Sequence, residues 1–209
     1  MSRFVYIVED EVAVRESLRA LLQTRGGLHL VPFRSGDAFL TALDHHEPGC
    51  VLVDLLLPDM NGIDLMERVA LRQDRWPMVV LTGHGDVPSA VRAMKLGAVD
   101  YLEKPCRPEQ LFAAVDESHR QLERRQAEVE RSRDARQRFD RLSRREREVL
   151  DIVLEGCSNK QIAERLEISL RTVEVHRASL MNKLEVTSVA ALVRAALAVH
   201  RPAPHAVNH

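Results

Sequence analysis

Aromatic side chains are scarce, 4% of 209 residues with a single tryptophan, so any core must be packed from Leu, Val, Ile and Ala. Cysteine is nearly absent. Cys50, Cys106 and Cys157 are odd in number, far apart and without CxxC or metal-type spacing, which points to reduced thiols in a cytoplasmic protein. No apolar run approaches membrane-spanning length and no signal-peptide pattern opens the chain, so the expectation is a soluble, cytoplasmic protein with no membrane partner. A GxxxxGK[ST] loop is missing, which argues against ATP as a direct phosphoryl donor. His45-His46, His200, His205 and His209 lack a metal-site framework.

What is present suits two domains. The net charge of −1 hides a split: residues 1–120 carry 13 Lys/Arg against 18 Asp/Glu, and residues 121–209 carry 17 against 13. An acidic front and a basic rear suggest a cation site ahead of a nucleic-acid surface.

The front alternates strand and helix signals. FVYIV (4–8), LHLVPF (28–33), CVLV (50–53), MVVL (78–81) and AVDYLE (98–103) read as buried strands. Between them lie an amphipathic stretch from Val12 to Arg25 stopped by Gly26-Gly27, a helix opened by Ser35, one from about Asn61, and one through Ala90 and Met94. Another follows Pro108. Five such units predict a doubly wound α/β domain with right-handed crossovers. Glu9-Asp10, Asp54, Thr82 and Lys104 stand at the carboxyl ends of four of those strands, where side chains converge on one crevice. Three carboxylates, a hydroxyl and an ammonium suit a divalent cation and a phosphoryl group. Mg²⁺ takes hard oxygen ligands and keeps several waters. Asp10 and Asp54 would ligate it, with Glu9 acting through a water, while Asp54 attacks phosphorus and Lys104 and Thr82 meet the phosphoryl oxygens.

From Pro108 the helix signal has no clear stop before about Leu142. Val115, Leu122 and Val129 recur every seven residues, but Ser118, Arg125 and Ser132 fill the alternate seam, so a solvated helical linker is favoured over a coiled coil. Residues 142–200 carry helix-only signals near 144–155, 159–166, 170–184 and 189–200, with capping boxes at Ser143/Glu146 and Ser158/Gln161. The short connection from Leu166 to Ser169 allows a helix-turn-helix. Helical spacing puts Val173, Leu180 and Leu184 on a core face and Arg171, Glu174, Val175 and Ala178 on an outer one, with His176 toward the core. Val175 suits a thymine methyl and Glu174 a cytosine amino group, whereas Lys160, Arg171, Thr172, Arg177 and Lys183 are candidates for DNA phosphates. The last helix, VAALVRAALAVH (189–200), leaves an apolar patch of the kind that marks interfaces.

IVEDE (7–11), VLVDLLLPDMNG (51–62), LTGHGD (81–86) and AVDYLEKP (98–105) resemble a response-regulator receiver domain, and GHGDVPSAVRAMKLGAVDYLEKP (83–105) is similar to the FixJ branch of the NarL/FixJ family. LSRREREVL (142–150), GCSNKQIAERLEIS (156–169), RTVEVHR (171–177) and NKLEV (182–186) resemble a LuxR-type helix-turn-helix. The resemblance implies a flavodoxin/CheY-like receiver with a parallel sheet of order 2-1-3-4-5 over 1–120, a helical linker over 121–141, a four-helix DNA-binding domain over 142–201 and a disordered tail over 202–209. It also implies a non-enzyme that accepts a phosphoryl group on Asp54 from a sensor histidine kinase. Glu9, Asp10, Asp54 and the Leu56 carbonyl would organise Mg²⁺, Thr82 and Tyr101 would form the switch pair, and Lys104 would meet the phosphoryl group across a cis Lys104-Pro105 bond. A homodimer formed on phosphorylation, pairing through the helix around 87–96 and through the last helix, would bind a pseudo-palindromic double-stranded site and engage RNA polymerase. Cys106 stands where the family often has Phe, and Leu56 and His84 flank the site where members vary.

Two charge-assisted bonds to a new dianion, each about 1.5–3 kcal/mol, approach the roughly 5.5 kcal/mol that moves a population from 1:99 to 99:1. Two other readings compete. An aspartyl-phosphate phosphatase would want a second Asp two positions after the nucleophile, and that position is Leu56. A regulator that binds DNA independently of phosphorylation would have no need of a complete pocket.

Overall fold

The structure is a computed structural model that describes residues 2–71, 76–83 and 85–200, with side chains described as far as Leu197. His84 and the tail at 202–209, expected to be disordered, lie outside the described residues. The chain divides into two compact units, Met1–Gln126 and Ala127–His209.

The first unit holds five parallel strands, β1 (Arg3–Val8), β2 (Leu28–Phe33), β3 (Gly49–Asp54), β4 (Met78–Thr82) and β5 (Asp100–Glu103), in the order β2-β1-β3-β4-β5. Its helices are α1 (Val12–Gln23), α2 (Gly36–Ala42), α3 (Gly62–Ala70), α4 (Val87–Lys95) and the first part of α5 (Pro108–Asp140), with a 3-10 turn at Leu43–His45. Successive side chains of a strand point to opposite faces, and both faces here are covered, so the central strands are apolar throughout. Tyr6, Val8, Val51, Val53 and Val80 pack on one face with α2, α3 and α4. Val5, Ile7, Cys50, Leu52, Val79 and Leu81 pack on the other with α1 and α5. Trp76, 8% exposed, closes the first of these cores edge-on to Tyr6, with ring centroids 5.2 Å apart.

The heads of α2, α3 and α4 are capped by side chains, with Ser35 the opening residue read in the sequence. Ser35 and Asn61 accept backbone N–H groups at the heads of α2 and α3, and Asp86 does so for α4. Two boundaries of the first unit shift by two residues, the others by less. Helix α1 ends at Gln23 rather than Arg25, because the N–H groups of Thr24, Arg25 and Gly26 turn back to the carbonyls three residues earlier. Gly26 and Gly27, at φ of +66° and +68°, then reverse the chain. Strand β5 begins at Asp100 rather than Ala98, because the Ala98 N–H bonds the Ala93 carbonyl and still closes α4.

Helix α5 is continuous over 33 residues. Its side-chain exposure follows charge: Val115 is buried, Leu122 half-buried, and Val129 62% exposed, so the heptad series fades into a solvated surface.

In the second unit, α6 (Arg144–Leu154), α7 (Asn159–Leu166), α8 (Leu170–Lys183) and α9 (Val189–His200) gather around Phe139, Leu142, Val149, Ile162, Val173, Leu180 and Leu192. Both capping boxes form, at Ser143/Glu146 and Ser158/Gln161. The turn from α7 into α8 passes through Glu167 at φ +53° and ends on Ser169, which caps α8.

Candidate functional site

The carboxyl ends of β1 and β3 bring Glu9, Asp10 and Asp54 together, with carboxylate oxygens within 4.8 Å of one another. Glu9 is 1% exposed and Asp54 9%, while Asp10 opens to solvent. Lys104, just beyond β5, reaches across the crevice: its Nζ lies 3.1 Å from Asp54 Oδ1 and 2.5 Å from Glu9 Oε2. Burial pushes the Glu9 carboxyl upward, and the Lys104 contact only partly offsets this. The same burial works against the Lys104 ammonium, but bonds to Glu9 and Asp54 outweigh it and hold the group above its ordinary value. The pocket therefore keeps a charged lysine between two carboxylates.

Gly62 shapes the floor. A Cβ there would collide with the Asp54 carbonyl oxygen, so only glycine lets the head of α3 close over the end of β3, where the Gly62 N–H bonds the Leu55 carbonyl at 2.8 Å. Leu56 and Asn61 bridge across this loop, and the Leu56 side chain is 64% exposed. Thr82 ends β4 with 1% exposure, and its carbonyl accepts the Lys104 N–H at 2.7 Å. Tyr101 stands opposite Val80 in the β4–β5 register, half-buried, its hydroxyl enclosed without a hydrogen-bond partner. The Lys104-Pro105 peptide is cis.

Two features had escaped the sequence reading. Arg15, 5% exposed on α1, donates to the carbonyls of Glu9 and Asp10. The only hint was a charged residue on the buried stripe Arg15–Leu18–Leu22. Asp59 accepts the N–H groups of Gly36 and Asp37 at 3.1 and 2.7 Å, tying the loop after β3 to α2.

The donor set fits Mg²⁺. Three hard carboxylate oxygens gathered within 4.8 Å suit an ion that takes oxygen ligands and keeps several waters.

On α8, Val173 and Leu180 are buried and Arg171, Glu174, Val175 and Ala178 exposed, with Val175 at 60%. Lys160 is exposed, and Thr172 shares a hydroxyl bond of 2.8 Å with Ser169. Arg177 is turned onto Asn159. Lys183 donates to Glu146 at 2.7 Å, with 37% of its side chain exposed. His176 is half-buried, as its helical phase implied.

The sequence matches the family described as response regulator receiver domain over residues 5–116, and the bacterial regulatory proteins, luxR family, over 140–196. The chain is a response regulator of the NarL/FixJ family. The transcriptional regulatory protein FixJ of Bradyrhizobium diazoefficiens is 42% identical over 92% of this regulator and 94% of its own length. FixJ of Rhizobium meliloti is 44% identical over 93% and 95%. Among solved structures, the response regulator StyR superposes with a TM-score of 0.76 at 38% identity, covering 94% of this regulator and 98% of that chain. Full-length FixJ from B. japonicum superposes at 0.59 and 41% identity, covering 95% and 98%. The regulator thus joins a CheY-like receiver with the five-stranded order found here to a helical LuxR-type DNA-binding domain. No described helix is long and apolar enough to cross a membrane.

Proposed function

We propose that this regulator takes a phosphoryl group on Asp54 from a sensor histidine kinase, dimerises, and binds a pseudo-palindromic double-stranded DNA site to activate transcription with RNA polymerase. The observation that carries the reading is Lys104 Nζ 3.1 Å from Asp54 Oδ1, beside three carboxylates gathered within 4.8 Å. An Asp54 oxygen forms the new O–P bond as the P–N bond to the kinase histidine breaks; the bonding pair stays on the imidazole nitrogen, which takes up a proton from solvent. Glu9, Asp10, Asp54 and the Leu56 carbonyl would hold Mg²⁺, which supplies charge neutralisation for the transferred group. Lys104, drawn between Glu9 and Asp54, can follow the new dianion, and the Thr82 hydroxyl can donate to it.

Inward movement of Thr82 would open space for Tyr101, whose hydroxyl has no bond to break. That motion would reshape α4, where Val87, Val91 and Met94 are 75%, 47% and 51% exposed and offer an apolar dimer face. In the second domain, which we take as 142–201 after a linker over 121–141, Glu174 and Val175 would meet base edges, while Lys160, Arg171, Thr172 and Arg177 would position the backbone. Leu197, 63% exposed on α9, supports pairing of two such domains. The protein would act in the cytoplasm.

The test is gel filtration and mobility shift of wild type and Asp54→Asn with acetyl phosphate and Mg²⁺. Wild type should dimerise and bind DNA more tightly on treatment, and Asp54→Asn should do neither. Equal DNA affinity of wild type with and without the donor would instead favour a phosphorylation-independent regulator.

A further inference from the structure

Arg15 is buried within the first turns of α1, at the head of the stripe that continues through Leu18 and Leu22. A guanidinium stays charged in a protein, and removing it from water is unfavourable unless oxygens replace its hydration. Here the replacements are main-chain oxygens: Nη1 donates to the Glu9 carbonyl at 2.7 Å and to the Asp10 carbonyl at 3.1 Å. The nearby carboxylates of Glu9 and Asp54 are paired with Lys104 instead. So one buried, rigid fork grips consecutive peptide groups belonging to the two residues that supply two of the three pocket carboxylates.

We infer that Arg15 is a positioning residue for the cation pocket: by clamping the main chain at Glu9 and Asp10 it aims their carboxylates and sets the affinity for Mg²⁺. The inference rests on the reading of the pocket as a Mg²⁺ site. The turn after β1 has few other restraints. The Glu9 N–H reaches the Phe33 carbonyl at 3.1 Å, and the Glu9 carboxylate accepts the Glu11 N–H at 3.3 Å. Helix α1 has no side-chain cap at Glu11, so no capping group shares with Arg15 the task of holding the chain at the helix entry. Groups that orient metal ligands without touching the metal commonly govern about 10–100-fold in affinity. Two effects oppose each other. Loss of the buried positive charge would favour a cation, whereas loss of the clamp would let the carboxylates wander. The paired bonds to both carbonyls make the second the larger.

The test is isothermal titration of the full-length regulator with MgCl₂, comparing wild type, Arg15→Met, Arg15→Lys and Asp10→Asn, each checked by its unfolding temperature without metal. Arg15→Met should bind Mg²⁺ about tenfold more weakly. Arg15→Lys, whose ammonium can still donate to a carbonyl, should fall between the two. A role in stability alone would lower the unfolding temperature of both variants without separating their affinities. Affinity in Arg15→Met equal to wild type, or tighter, overturns the inference. Should Arg15→Met not fold, an Arg15→Lys variant of wild-type affinity overturns it. A wild type that takes no Mg²⁺, or whose binding survives Asp10→Asn, removes the underlying reading of the pocket instead.

Discussion

Glu146 serves three partners at once. Its carboxylate accepts the Ser143 N–H at 2.7 Å as the N3 member of a capping box, and also accepts from Ser179 and Lys183, each at 2.7 Å. Burial presses its pKa upward, but the bonds from Lys183, Ser179 and Ser143 prevail and bring it from 4.5 down to about 2. A carboxyl depressed in the folded state stabilises fully above its unfolded value, and that stabilisation drains away as pH falls from about 4.5 toward 2. With Lys183 at 37% exposure screening part of the effect, roughly 2 kcal/mol is at stake. Urea unfolding at pH 6 and pH 3 should show Glu146→Gln less stable at pH 6, with the gap to wild type narrowing at pH 3. Tyr101 offers the opposite case. Its buried hydroxyl has no partner, so Tyr101→Phe removes no hydrogen bond and should hold or raise stability, within about 0.5 kcal/mol, in the same measurement.

At the scale of elements, the junction of β3 and α3 depends on one missing side chain. Gly62→Ala would drive a methyl group into the Asp54 carbonyl, a backbone atom that has nowhere to retreat. It should lose more than about 2 kcal/mol in thermal unfolding followed by circular dichroism, well beyond the usual effect of Gly→Ala in a helix. Much of this architecture was legible. Buried strands read as apolar runs, the caps at Ser143 and Ser158 read as local spacings, and the strand-end rule brought Lys104 to Glu9 across 95 positions of sequence. What escaped was chemistry without a period. Nothing local marks Lys183 as a partner of Glu146, or Asp59 as a cap for α2, because each match lies 20 to 40 residues off and obeys neither helical nor strand spacing. Arg15 was hidden in the same way, since its acceptors are carbonyls, which every residue carries.

Across the whole molecule, charge is sorted: the residues after 120 carry 17 Lys/Arg against 13 Asp/Glu. DNA affinity should fall with salt, each phosphate contact adding about 0.9 to the logarithmic slope. The two lysines of the second unit should then part company in filter binding. Lys160→Ala, losing an exposed cation, should reduce the slope by about one. Lys183→Ala, losing one partner of Glu146, should leave the slope unchanged and act through reduced stability. The placement of Trp76, alone of its kind and sealed between Tyr6 and Phe39 in the first unit, has a practical corollary. Indole emission from this chain is an optical reporter for one half only, blind to the helical half that dichroism also records. Two melting curves, one from each signal, would coincide only if both halves give way in a single cooperative event.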